Sequence, residues 1–373
     1  MENKERLFSL FEQFTLESEA SRSKVTSLND RILIVDFMNL FIRSFSASPA
    51  MNDNGEHVGG LVASLYSLGS AIRQINATRC IVVCDGEGGS QRKRKLYPEY
   101  KAKRKVTQNL NRTYDFKNEE EEKRSMMFQL QRLGDYMRNL PIHFIAISNV
   151  EADDVIAYIA KEIYTDPSNT ITIMSSDKDF LQLVDDRISV WSPTKKKMYT
   201  PADVLAEYDI NSQNFLMYRM LFGDTSDNIP GIDGCGKKTI PKFLPMLREE
   251  KKCTLSEILQ HAEEKNSGKK KLKIYESILT NKERLLLNES LMQLESPDIS
   301  GHAKSKVIEI LNSGIPALNN YEIQLMYIHD KISGAMRNIT EWLTTTFSLL
   351  NSFANNGDHR MSLKDLAGKN GRE

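Results

Sequence analysis

Five short apolar runs rich in Ile and Val recur between residues 31 and 192, and most of them end on, or lead straight into, an aspartate. They read RILIVD (31–36), RCIVVCD (79–85), IHFIAIS (142–148), TITIMSSD (170–177) and ISVWS (188–192). Runs of this length and composition are buried strands. Helical stretches separate them, near 61–75, near 125–139, and in EADDVIAYIAKEI, where Val155, Ile156, Ile159 and Ala160 mark one face. Strands alternating with helices imply an α/β fold with a doubly wound, mostly parallel sheet, and the fifth run is expected to end it. From about Pro201 the pattern is helical, broken by GDTSDNIPGIDGCGKKTI (223–240). The expected organisation is an extension at 1–28, an α/β domain at 29–205 and a helical domain at 206–350. The stretch 301–350 closes that second domain, and a polar, Gly/Asn-rich tail at 351–373 is expected to be disordered. In the extension, Leu7, Leu10, Phe11 and Phe14 recur at helical spacing.

Composition excludes several classes. An apolar share of 40% supports a real core. No stretch approaches the roughly 20 apolar residues of a membrane span, and MENKERLFSLFEQF has no signal-peptide pattern. Cys80, Cys84, Cys235 and Cys253 form no CxxC pair, so a zinc site is unsupported and reduced thiols in a cytoplasmic compartment are expected. Net charge is zero, yet the charges segregate. Residues 92–105 read RKRKLYPEYKAKRK with Glu99 as their one acid, whereas 119–122 is an acidic run expected to face solvent.

The acids sit where ligands bind in open α/β sheets, outside the carboxyl ends of the strands. Asp36 ends the first run, Asp85 the second, and Asp177 and Asp179 follow the fourth. Glu151, Asp153 and Asp154 open a helix, and Asp224 and Asp227 lie three apart in GDTSDN. Singly, an aspartate after a strand is more often a turn residue or helix cap. As a set they are harder to explain structurally. Unit charges 4 Å apart cost about 1 kcal/mol in water and about 4 kcal/mol at an effective dielectric of 20. Converging carboxylates therefore need cations or raised pKa values. Oxygen donors without His or Cys favour Mg²⁺ or Mn²⁺, and two such ions suit phosphodiester hydrolysis.

Taken in order, ILIVDFMNLF, IVVCDG, VEADDVIAYIA, SSDKDFLQL and GDTSDNIPGIDGCGKKT resemble the signature blocks of the 5′-nuclease (flap endonuclease) superfamily. WSPTKKK, after SSDKDF, resembles its bacteriophage branch, enzymes called 5′-exonuclease or RNase H in phage replication. The likeness runs from about Arg31 to Thr239. It implies a nuclease domain with an arch at about 90–135 and a helix–hairpin–helix near 225–245. Asp36, Asp85, Glu151, Asp153 and Asp154 would surround one metal ion, and Asp177, Asp179, Asp224 and Asp227 a second. Asp36, Lys101 and Arg104 would act at the reacting phosphate.

RKRKLYPEYKAKRK resembles the family's gateway, with Tyr100, Lys101 and Arg104 its most characteristic part and Arg92 or Arg94 the preceding arginine; Gln91 stands where relatives often carry an aromatic residue. Lys and Arg there neutralise phosphate, and Tyr97 or Tyr100 is the candidate to stack on an unpaired base; the alternative is a solvated charged helix with buried tyrosines, and the run's position immediately after Asp85 favours the functional reading. In GIDGCGKKT, Gly231, Gly234 and Gly236 precede Lys237 and Lys238, a pattern similar to the family's hairpin, which grips duplex backbone without reading sequence. Lys269, Lys270, Lys271 and Lys273 extend that face or form a solvated helix. The resemblance implies a potassium ion at the hairpin in addition to two Mg²⁺ or Mn²⁺ ions. The implied enzyme is a monomer in the cytoplasm (the host's, for a viral chain). Its partners would be DNA with 5′ flaps, nicks or forks and RNA–DNA hybrids. The Leu7–Phe14 stripe would dock on a sliding clamp or single-strand-binding protein, or pack on the nuclease domain. Alternatives are a PIN-type single-strand ribonuclease and a non-catalytic binder of DNA structures.

Overall fold

The computed structural model describes residues 29–102, 110–267 and 271–355. The 1–28 extension with its apolar stripe, Arg104, Lys269, Lys270 and residues 356–373 lie outside the described residues. The strands are β1 (Arg31–Asp36), β2 (Arg79–Asp85), β3 (His143–Ile147), β4 (Thr170–Met174), β5 (Ile188–Ser192) and β6 (Lys197–Tyr199). They form one sheet in the order β3-β2-β1-β4-β5-β6. The first five run parallel and β6 returns antiparallel to β5. The fifth run thus does not end the sheet. WSPTKKKMY turns back on itself, with Lys196 in the left-handed region at φ 51°, and adds an edge strand.

The helices are α1 (Phe37–Ala47), α2 (Gly59–Ile75), α3 (Gln91–Leu96), α4 (Glu119–Arg138), α5 (Ala152–Tyr158), α6 (Pro201–Tyr208), α7 (Phe215–Phe222), α8 (Thr239–Phe243), α9 (Leu255–Asn266), α10 (Lys273–Thr280), α11 (Lys282–Met292), α12 (Gly301–Asn312), α13 (Asn320–His329) and α14 (Ile339–Asn355). Alternate strand residues feed two cores, one on each face of the sheet. Leu33, Val35, Cys80 and Val82 point to α1, α2 and α4. Ile32, Ile34, Ile81, Val83, Ile171 and Ile173 point to α5 and the helices that follow β6.

The stretch expected to close the helical domain divides. Ala303, Val307, Ile308 and Leu311 of α12 join the core of the helical region. Ile323, Trp342, Leu343 and Phe347 of α13 and α14 instead cover the opposite face, beside α2. The acidic run is also corrected in part. Asn118 caps α4 through the Glu121 N–H, and the carboxylates of the first turn meet the positive end of the helix dipole. Glu122 is buried and accepts the Asn111 N–H at 2.6 Å, so this acid of the run faces inward.

The strand order reverses at β1, which lies between β2 and β4. That places the ligand crevice at the carboxyl ends of β1 and β4, where Asp36 and the 175–179 turn stand.

Candidate active site

Asp36 is held from two sides. One oxygen accepts the Asn39 N–H at 3.0 Å and caps α1; the other accepts Ser175 Oγ at 2.9 Å, across the switch point. Burial raises its carboxyl to about 6, against those two hydrogen bonds, and nearby Asp177 and Asp85 add repulsion. Burial likewise raises Asp153 well above the usual range, with Asp177 and Asp36 contributing. Asp85 Oδ1 accepts the Ala152 N–H at 2.8 Å and ties β2 to the start of α5. Gly86 makes this junction possible: a Cβ there would lie 1.7 Å from the Ile147 carbonyl oxygen.

On the β2–α3 side, Lys93 rather than either neighbouring arginine faces the acids. Arg92 pairs with Asp298 at 2.6 Å on the surface and Arg94 is exposed. Lys93 is buried, with Nζ 2.7 Å from Glu151 and 3.7 Å from Asp154. Lys101 Nζ reaches Glu151 at 2.5 Å, and the Tyr100 hydroxyl donates to the same carboxylate at 3.1 Å. Burial alone would raise Glu151, but the two lysines outweigh it and bring it down to about 2. Burial raises Asp154 despite Lys93, and its Oδ1 is buried without a hydrogen-bond partner. Tyr100, only 2% exposed, packs in the core and cannot stack on a base; Tyr97 is the half-exposed ring of the pair.

The second group of acids gathers on α7. Arg219 Nε donates to Asp179 Oδ1 at 2.5 Å, Nη2 to Asp224 Oδ2 at 2.6 Å, and Nη1 to the Gly223 carbonyl at 3.2 Å. Burial raises Asp179 to about 6 although Arg219 opposes it. Asp224 is lowered, because hydrogen bonds from Ser226 and the charge of Arg219 overcome burial. The two-residue strands Gly223–Asp224 and Ile229–Pro230 form a small hairpin that latches onto the gateway turn. The Asp227 carbonyl accepts the Lys101 N–H at 2.9 Å and Asn228 Nδ2 donates to the Glu99 carbonyl at 2.9 Å. Lys101 itself sits at φ 57°, a conformation this latch sustains.

Gly234 takes φ 86°, whereas Gly231 is required by packing, since its Cβ would fall 2.2 Å from the Phe222 carbonyl oxygen. Thr239 Oγ1 accepts the Gly236 N–H at 2.6 Å and lies 2.7 Å from the Gly234 carbonyl, so the side chain braces the turn. Lys237 and Lys238 are exposed. α8 spans only five residues, so the favourable dipole expected of a following helix is small. Lys237 also borders a groove of about 140 Å³ with Lys178, Lys195, Tyr208 and the half-exposed Phe222, between the hairpin and the 175–179 turn.

Sequence reasoning missed Lys93 and Arg219. Phase hid the first, because four consecutive bases give no hint of which faces inward. The second carried a signal: one arginine in FLMYRMLF, an otherwise apolar helix, implies a buried charge with acidic partners.

The donor set suits a hard divalent cation. It is all oxygen, burial holds Asp36, Asp153 and Asp179 above the usual carboxylate range, and Asp154 presents an unpartnered oxygen. Among the described residues no three such side chains close on one point, so binding an ion entails rotating carboxylates toward it.

Comparison with known proteins identifies the class. Residues 31–209 match the model of the 5′-3′ exonuclease N-terminal, resolvase-like domain, and residues 210–304 that of the 5′-3′ exonuclease C-terminal SAM fold. The chain belongs to the 5′-3′ exonuclease and flap endonuclease family, metal-dependent nucleases. It is 30% identical over 219 residues to the flap endonuclease Xni of Shewanella sp. (strain MR-4), covering 59% of this chain and 76% of that one. It is 29% identical over 213 residues to a 5′-3′ exonuclease of Buchnera aphidicola, covering 56% of this chain and 67% of the relative. With the thermostable DNA polymerase I of Thermus aquaticus it shares 31% identity over 267 residues, 71% of this chain but 29% of the polymerase. Its fold is similar to that of a bacteriophage T5 flap endonuclease solved as a pseudo-enzyme–product complex with DNA and metal ions. The TM-score is 0.55 at 18% identity, over 86% of this chain and 99% of that one. No described helix is long and apolar enough to cross a membrane.

Proposed function

We propose that the chain is a structure-dependent 5′→3′ exonuclease and flap endonuclease acting on DNA and RNA–DNA hybrids, suited to removing RNA primers in phage-type replication. The observation that carries this is the convergence of carboxylates at the switch point of the sheet, where Asp36 and Asp154 are buried, Asp153, Asp177 and Asp179 half-buried and Asp85 exposed, with buried Lys93 and half-buried Lys101 beside them. Asp36, Asp85, Asp153 and Asp154 form the first ligand group, and Asp177, Asp179 and Asp224 the second. These carboxylates would hold two Mg²⁺ or Mn²⁺ ions, which would supply an acidified water and charge stabilisation for the leaving oxygen. Glu151, already engaged by two lysines and a tyrosine, serves chiefly to aim Lys101 at the scissile phosphate. Asp227 acts through its backbone, as part of the latch.

Duplex DNA beside the cut is held through its backbone by Lys237 and Lys238, and the groove with Lys178 and Lys195 leads the strand toward the acids. The test is cleavage of 5′-labelled flap, nicked and RNA–DNA hybrid substrates with Mg²⁺. Short 5′ products from nicks and hybrids, plus whole flaps from forks, are expected. Equal activity on free single-stranded RNA and on forked duplexes would support the PIN-type ribonuclease reading instead.

A further inference from the structure

Each nitrogen of the Arg219 guanidinium makes a hydrogen bond at the edge of the acid set. It is buried on α7, its Nε and Nη2 reach Asp179 and Asp224 at 2.5 and 2.6 Å, and Nη1 is spent on the Gly223 carbonyl. The two carboxylates come from different elements, the turn after β4 and the hairpin after α7, and Arg219 is the group that joins them. A planar cation with a two-pronged grip keeps such a pair at a fixed spacing. It also lends the second ligand group one positive charge before any ion arrives, whereas the first group draws its compensation from Lys93 and Lys101 further off, on the gateway side.

From this geometry we infer that Arg219 is a positioning residue that bridges Asp179 and Asp224 in the absence of metal and thereby weakens divalent-ion binding at the second ligand group. The inference rests on the metal-binding reading above. Ion entry at the second group requires the carboxylates to exchange part of their contact with Arg219 for contact with the ion. In the first group the nearest cation, Lys93, stands 3.7 Å from Asp154, a looser contact than Arg219 makes with Asp179 and Asp224, so the two groups fill in order, the first at lower metal concentration.

The experiment is Mn²⁺ titration of the full chain by calorimetry, with melting temperature followed in parallel, for wild type, Arg219→Gln and Arg219→Lys. Wild type is expected to bind one ion tightly and one weakly. Removing the charge in R219Q should tighten the weak site roughly thirtyfold, which is what a unit charge about 4 Å from a divalent ion is worth at a water-like dielectric. R219Q should melt lower than wild type without metal and recover with it; R219K should keep weak-site affinity within about threefold of wild type. An unchanged weak site in R219Q, with the same melting deficit at all Mn²⁺ concentrations, would reduce Arg219 to a structural ion pair and overturn the inference. Absence of any Mn²⁺ binding in wild type would instead overturn the metal reading beneath it. A second readout needs no variant to fold: the Arg219 Nε–H resonance of ¹⁵N-labelled wild type should shift as the weak site fills. A resonance that stays put through saturation also overturns the inference.

Discussion

Lys93 lies buried between Glu151 and Asp154, and its removal would leave two carboxylates short of a counter-charge in a poorly solvated place. Breaking a buried ion pair from one side typically costs about 3–5 kcal/mol. Lys93→Met should therefore lower unfolding free energy by that order in urea titrations with EDTA present, and a loss under 1 kcal/mol would show that water already solvates the cluster. The acids also give the metal-free protein a pH signature. Asp36 and Asp179 are raised to about 6 in the fold, above their ordinary value of 3.8, so the native state binds more protons than the unfolded one between those limits. Stability from these groups is present when they are protonated and is lost as pH rises through about 6. Divalent ions require the ionised form, so metal affinity should fall as pH drops below about 6. Metal-free melting temperature should rise between pH 7 and pH 5 while Mn²⁺ affinity falls. A pH-independent affinity across that range would contradict the burial assigned to these carboxylates.

Elements were legible to different depths. The five Ile/Val runs all became strands because a both-sides-buried strand leaves a continuous apolar signature, and the acids at their ends fell where parallel topology sends them. The sixth strand was missed because three residues, KMY, carry no period of their own and are held by pairing with β5. Of the two readings of these tyrosines, base stacking and burial, Tyr100 takes burial: an aromatic in a basic run looks exposed until the turn that carries it is seen to fold inward. The latch between the 223–230 hairpin and the gateway turn had no sequence signal at all, since it is made of backbone carbonyls and one asparagine. Its effect is measurable. Asn228→Ala removes the bond to the Glu99 carbonyl, worth about 1 kcal/mol. It should lower kcat on a flap substrate about fivefold through a less well placed Lys101, with KM for duplex little changed. An equal loss in KM would place Asn228 in substrate binding.

At the scale of the molecule, the chain runs through the α/β region, then the helices that carry the glycine hairpin, and returns with α13 and α14 to the face it began on. Phe347, fully buried among the side chains of that face, is part of the core although it lies far from the strands in sequence. Helical periodicity announced α14 but could not say which of two apolar faces it covers. Phe347→Ala should cost about 3–5 kcal/mol in urea unfolding and leave kcat of the folded enzyme unchanged; stability close to wild type would separate α14 from the nuclease core. Lys237→Ala/Lys238→Ala should weaken duplex binding for every sequence and flatten log–log salt dependence by about one unit per lost phosphate contact. An unchanged slope would remove the hairpin from the interface. The proposed function of the carboxylates at the switch point is metal-dependent cleavage at 5′ ends. It is tested most directly with a 5′-labelled flap substrate, by comparing wild type with Mg²⁺, wild type with EDTA, and an Asp177→Asn/Asp179→Asn variant with Mg²⁺. Cleavage is expected in the first case and not in the other two; cleavage that survives both EDTA and the double substitution would rule out metal-dependent action of the switch-point carboxylates.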